Sequence, residues 1–105
     1  MKTLVIGTLA LVVSAGLAFG SAAEGKGLYT SKCASCHGAN GEGKAAIGKA
    51  FGVTMEHLGS KDVQAMSDAD LKKVILSGKG KMKAVSGVSD KQADDIVAYV
   101  RTLKQ

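Results

Sequence analysis

Residues 33–37 read Cys33-Ala34-Ser35-Cys36-His37, and this C-x-x-C-H run decides the architecture, because it is the attachment signature of a covalently bound c-type haem. Each thiol can add its S–H across one haem vinyl group. The histidine beside the second cysteine is placed to bring an imidazole nitrogen onto the iron. Both cysteines of the chain are then consumed as thioethers, and none remains for a disulfide.

Toward the amino terminus, Met1 to Ala23 carries one positive charge at Lys2, an apolar stretch from Leu4 to Phe19 and a small-residue close at Ser21-Ala22-Ala23. That order fits a secretory signal peptide over residues 1–23, with residues 24–105 as the mature monohaem domain. The alternative is an uncleaved membrane anchor. A spanning helix wants about 20 apolar residues, and Gly7, Thr8, Ser14 and Gly16 interrupt this stretch. No cysteine precedes Cys33, which argues against a lipid-modified amino-terminal cysteine. Export implies a periplasmic protein in an oxidising compartment, with no membrane insertion once the leader is gone.

A domain this small buries only about 60% of the surface its unfolded chain exposes, so it needs a staple. Here the haem is that staple, an apolar disc around which short helices can pack. The apo chain is accordingly expected to be largely unfolded. The formal charge of +5 falls to +4 without Lys2, and ionised haem propionates lower it further. The lysines are scattered and the few aromatics do not interleave with them, so nucleic-acid binding is not expected.

Along the domain, Gly25 to Lys32 can form a short helix leading into the motif, with Leu28 and Tyr29 on its apolar side. Gly38 to Gly52 is glycine-rich and reads as a loop wrapping the haem edge. Thr54 to Leu58 can make one helical turn. Ser67-Asp68-Ala69-Asp70 is an amino-terminal cap, after which Leu71, Val74 and Ile75 share one helical face until Gly78 supplies the stop. Ser89 and Gln92 form a capping-box pattern, and Ile96, Tyr99, Val100 and Leu103 line one stripe of a helix from about Asp90 to Lys104. Neither a strand nor a repeat is apparent, and the chain has no proline. The expected architecture is all-α, three to four short helices wrapped around one prosthetic group.

With these parts in place, nearly the whole mature chain resembles the class I cytochromes c of the small bacterial monohaem kind. Gly25 and Tyr29 stand where that family has a glycine and an aromatic ahead of the first cysteine. Ile96 and Tyr99 stand where its last helix has an aliphatic and an aromatic. The resemblance implies the cytochrome c fold, in which these two helices cross. It also implies that the segment from Leu71 to Ala84, LKKVILSGKGKMKA, delivers a methionine sulfur to the haem.

The site residues implied are Cys33 and Cys36 for the thioethers, His37 as proximal ligand and Met82 as distal ligand. Met55 and Met66 also lie downstream, and a methionine is more often a packing residue than an iron ligand. Met82 differs in sitting in a polar loop flanked by glycine and lysine. His57 is the other candidate, since a second imidazole gives bis-histidine ligation and a lower potential; its bland reading is a surface histidine in a polar turn. The family commonly has prolines where this chain has Lys83, after the ligand methionine, and Lys49, whose carbonyl takes the proximal histidine's second N–H. Their absence predicts a more labile Met82 loop.

Iron saturated by His37 and Met82 leaves no open position, so the implied function is outer-sphere, one-electron transfer by a monomeric carrier rather than an enzyme. Lys32, Lys44, Lys49, Lys79, Lys81 and Lys83 are expected near the haem edge, where they can steer redox partners bearing acidic surfaces. Their bland reading is solvated charge. A ligand sensor or peroxidase-like enzyme needs a vacant distal position. A zinc site lacks further cysteines, and a thioredoxin-like module needs strands.

Overall fold

The computed structural model describes residues 20–105 and contains six helices there. They are α1 (Ala22–Lys32), α2 (Ala34–His37), α3 (Ala45–Phe51), α4 (Lys61–Gln64), α5 (Asp68–Ser77) and α6 (Asp90–Thr102). No strand occurs among the described residues; the β-type pairing there is an isolated bridge between Lys79 and Met82. The all-α reading therefore stands, with more helices than the three to four expected. The additional ones are four to seven residues long, about one to two turns and below the length at which a periodic pattern can be read.

Helix starts follow side-chain capping. Ser21, Ser60, Ser67 and Ser89 each accept a backbone N–H from the third residue on, Glu24, Val63, Asp70 and Gln92 respectively. At α6 the box is complete, because Gln92 Oε1 also accepts the Ser89 amide at 3.0 Å. Gly78, at φ +78°, ends α5 and passes close to the main chain of Met82 and Ala84, so a side chain there would be both strained and obstructed.

Three expectations shift. Residues 38–52 are not all loop: Ala45-Ala46-Ile47 are good helix residues and form α3, which Gly52 closes in the left-handed region. Residues 54–57 are not helical, and the next turn is α4, capped by Ser60. Ala22 and Ala23, assigned to the leader by the sequence, are the first residues of α1, and Ser21 caps it. The rest of the leader, residues 1–19, lies outside the described residues.

The core is the crossing of α1 with α6. Gly25 makes it possible, since a Cβ there would meet the main-chain oxygen of Asp95. Tyr29 and Ile96 are each only 1% exposed, and the rings of Tyr29 and Tyr99 lie 5.1 Å apart, tilted at 49°. Val97, Val100, Ala93, Ile75 and Cys33 complete the cluster. Arg101 then ties the α4–α5 junction to α6, donating to the carbonyls of Gln64 (2.9 Å) and Met66 (2.6 Å) and pairing with Asp68 at 2.7 Å. No helix among the described residues is long and apolar enough to cross a membrane.

Candidate functional site

The C-x-x-C-H motif lies on a continuous turn. Cys33 ends α1 and opens α2, and its carbonyl accepts the amides of Cys36 (3.2 Å) and His37 (2.9 Å). Cys33, Cys36 and His37 thus stand at i, i+3 and i+4, the spacing that puts side chains on one helical face. The chain then reverses sharply: the Gly43 amide donates to the His37 carbonyl at 2.6 Å and the Lys44 amide to the Cys36 carbonyl at 3.0 Å. Tyr29 fixes this exit from the core side, its buried hydroxyl donating to the Gly38 carbonyl at 2.6 Å. Burial pushes the Tyr29 hydroxyl up to about 12, so it stays a donor at any physiological pH.

Two cavities open from this turn. The inner one, about 210 Å³, runs between α5 and α6, with Val63, Leu71, Ile75, Ile96, Val97 and Val100 among its walls. The outer one, about 840 Å³, lies between the motif and residues 79–86, with Ile47, Phe51, Val53 and Met55 on its far side. Cys33, His37, Lys79 and Met82 line both. The structure therefore brings the motif and Met82, distant in sequence, to one space. Cys36 lines the outer cavity alone.

The other candidates separate clearly. Met66 borders only the inner cavity and Met55 only the outer one. His57 borders neither, and its Nδ1 accepts the Gly59 amide at 2.8 Å, the polar-turn role. Among the described residues no group of three or more His, Cys, Asp or Glu side chains is placed to hold a metal ion. Of the lysines expected near the haem edge, Lys32, Lys79, Lys81 and Lys83 line the outer cavity; Lys44 and Lys49 do not.

The donors have the character a c-type haem requires. Cys33 and Cys36 are free thiols. Burial pushes Cys33 up to about 11, with Lys32 pulling down and Cys36 pushing up more weakly, so it rests as the neutral thiol. Burial lowers His37, which favours the neutral imidazole that can ligate. The His37 Nδ1 is buried with no hydrogen-bond partner in the protein. An orphaned buried nitrogen of this kind costs about 1–3 kcal/mol unless a further partner takes it. The Lys49 carbonyl does not take it; that carbonyl accepts the Gly52 amide at the end of α3. An apolar cleft with two free thiols and a neutral imidazole fits the group.

Met82 sits on a tight turn. The Lys79 amide donates to the Met82 carbonyl and the Met82 amide to the Lys79 carbonyl, both at 2.9 Å, around Gly80 at φ +57°. Glycine at the first central position is what a hairpin turn of this kind asks for. Farther on, the Val85 amide donates to the Ile75 carbonyl at 2.8 Å, and Lys32 Nζ reaches the Ser86 carbonyl at 3.2 Å. The loop expected to be loose for want of proline is thus tied at several backbone points. Sequence reasoning missed these ties, for which Gly80 was the available signal. It also missed Val97 as a cavity wall, although Val97 lies three residues before Val100 on the same helix.

Comparison with known proteins identifies the family. Residues 20–100 match the family model described as cytochrome c oxidase, cbb3-type, subunit III. Cytochrome c-554(547) of Halothiobacillus neapolitanus is 39% identical over 92 residues, an alignment covering 81% of this chain and 99% of that protein. Among solved structures, the KustC0563 c-type cytochrome superposes with a TM-score of 0.65 at 24% identity, over 77% of this chain and 98% of its own. Cytochrome cL of Methylophaga aminisulfidivorans MPT gives a TM-score of 0.61 at 23% identity, over 79% of this chain and 53% of its own. The chain belongs to the cytochrome c family, as a small class I monohaem member that carries a covalently attached c-type haem and works as an electron carrier.

Proposed function

We propose that this protein is a periplasmic, monomeric, one-electron carrier whose haem is held by thioethers at Cys33 and Cys36 and ligated by His37 and Met82. The observation that carries the reading is the convergence of Cys33, His37 and Met82 on both cavities. When bound, the haem supplies reversible one-electron chemistry. The chain's own residues set the conditions for it. Val63, Ile75, Ile96 and Val97 exclude water on the inner side, which keeps the local dielectric low. Tyr29, through Gly38, holds the turn that carries His37. Met82, a thioether, favours a higher potential than a second imidazole. Were His37 and Met82 both to hold the iron, no position would stay open to a substrate, and the protein would act as a carrier rather than an enzyme.

The leader-like pattern of residues 1–23 supports export, and with it the periplasmic reading. Lys32, Lys79, Lys81 and Lys83 are all exposed around the outer cavity and give its mouth a positive rim. That rim suits redox partners with acidic docking faces. Carbon monoxide added to the reduced holoprotein tests the reading. A spectrum unchanged by carbon monoxide, with a reversible one-electron wave in voltammetry, is the expected result. Ready carbon monoxide binding at neutral pH would instead indicate an open distal position and a sensor or enzyme.

A further inference from the structure

Ser21 ties the start of α1 to α6. Its hydroxyl caps α1 by accepting the Glu24 amide, its carbonyl accepts the Gly25 amide at 2.8 Å, and its own amide donates to Asp95 Oδ1 at 2.7 Å. Asp95 is 2% exposed, and Lys91 Nζ lies 3.0 and 3.1 Å from its two carboxylate oxygens. Glu24 in turn reaches Lys91 at 3.4 Å. A buried carboxylate on α6 is thus aimed at the backbone nitrogen of Ser21, where it takes a single N–H.

From Gly20 to Ala23, three peptide bonds satisfy the small-residue pattern of leader removal. They follow Ala23, behind Ser21-Ala22-Ala23; Ala22, behind Gly20-Ser21-Ala22; and Gly20, behind Ala18-Phe19-Gly20. The fold distinguishes them. A cut after Ala22 or Ala23 discards the α1 cap, the start of the helix and the backbone donor to Asp95. A cut after Gly20 keeps all three. Gly20 itself packs on the Asp94 main chain and contributes no side chain to the domain.

We propose that the leader is removed at the Gly20–Ser21 bond and that the new α-ammonium of Ser21 pairs with the carboxylate of Asp95. An export peptidase adds water across the bond: the Gly20 carbonyl carbon takes the hydroxyl and leaves as the leader's carboxylate, and the Ser21 nitrogen takes the proton. An amide with one N–H becomes an ammonium with three and a full charge, facing a carboxylate already in place. The charged groups around it are Asp95, Lys91 and Asp94 of α6 and Glu24 of α1. Export as read above is the premise of this inference.

Intact mass and amino-terminal sequencing of holoprotein, expressed from the full chain with export and haem-attachment machinery, give the test. Ser21 as the first residue is the expected result. A start at Glu24, or anywhere else inside the chain, overturns the site while leaving export standing. A start at Met1 overturns leader removal altogether and points to an uncleaved anchor. The pairing is read separately by NMR titration of the Ser21 amine, which should titrate above the usual value of about 8 and return toward it in Asp95→Asn. An amine titrating alike in both proteins overturns the pairing.

Discussion

The α1–α6 crossing and the segment from Gly78 to Ser86 hold the two sides of the same cleft by different means. At the crossing, backbones touch at Gly25, two tyrosine rings pack at a tilt, and a buried carboxylate binds the other helix's amino terminus. The Met82 side has little buried apolar surface. It has a two-residue turn, one backbone bond to Ile75, and lysines facing water. Cys33, Cys36 and His37 are carried by the first region and Met82 by the second. One wall of the cleft is therefore part of the core, and the other is a strap fastened at a few points. Local opening free energies span from near zero in such straps to the global value in the core, so the methionine side should yield first.

The largest effect that would break this contrast is at Gly25. In Gly25→Val the new side chain meets the Asp95 carbonyl, a backbone atom that no rotamer change can move. A loss of about 3 kcal/mol or more is expected from such overpacking, read from the urea midpoint of the holoprotein. An unchanged midpoint would mean that the crossing is looser than described.

Asp95→Ala comes next. It strands the Ser21 nitrogen and removes the partner of Lys91, with an expected loss of about 1–3 kcal/mol at neutral pH. The pH dependence has a definite sign. Burial pushes the Asp95 carboxyl upward, but the Ser21 amide and the Lys91 ammonium outweigh it and hold the group below its usual range. Its contribution is therefore complete above the unfolded value of about 3.9 and is lost as pH falls through the lower folded value. The stability curves of wild type and Asp95→Ala should converge in strong acid. A gap that stays constant would assign the loss to packing alone.

The strap responds on a smaller scale. Gly80→Ala meets no neighbouring atom but must hold φ near +57°, which costs about 1–2 kcal/mol. Hydrogen exchange should quicken at the Lys79 and Met82 amides and stay unchanged at α6. Equal changes in both would mean that strap and core open together. The smallest expected effect on stability is that of Lys79→Ala. Lys79 lines both cavities beside Met82, so alkaline pH should exchange the methionine for this lysine first. The variant should keep its methionine spectrum to higher pH than wild type; an unaltered midpoint would direct attention to Lys81 or Lys83.

How legible each region was follows from the same contrast. The crossing announced itself in local patterns: the Ser89–Gln92 box, the Ile96–Val100 stripe, and glycine and tyrosine four residues apart before Cys33. These are helix-period signals that act within a few residues. Cys33, Cys36 and His37 were read from one pentapeptide, and the structure adds that they share a helical face. Met82 was placed through family resemblance, because a methionine in a polar loop carries no local sign of what it faces. What sequence could not supply were contacts made across the fold by main-chain atoms. Arg101 reaching the carbonyls of Gln64 and Met66, Asp95 reaching the Ser21 amide, and the reciprocal bonds of Lys79 and Met82 all have partners without side-chain identity. The loop's lability was inferred from missing prolines, and those backbone bonds supply part of what proline supplies elsewhere. The glycine-rich stretch after His37 was read as loop because five glycines masked the Ala45–Phe51 helix.

The central claim is that the core-borne histidine and the strap-borne methionine meet on one iron. The visible and near-infrared spectrum of oxidised holoprotein, recorded for wild type and Met82→Ala, tests it most directly. A weak sulfur-to-iron charge-transfer band in wild type that vanishes in Met82→Ala is the predicted result. The potential of the variant should fall by a sizeable part of the roughly 0.8 V that axial ligands span. A wild-type spectrum without the band, or a band that survives the substitution, would contradict the account.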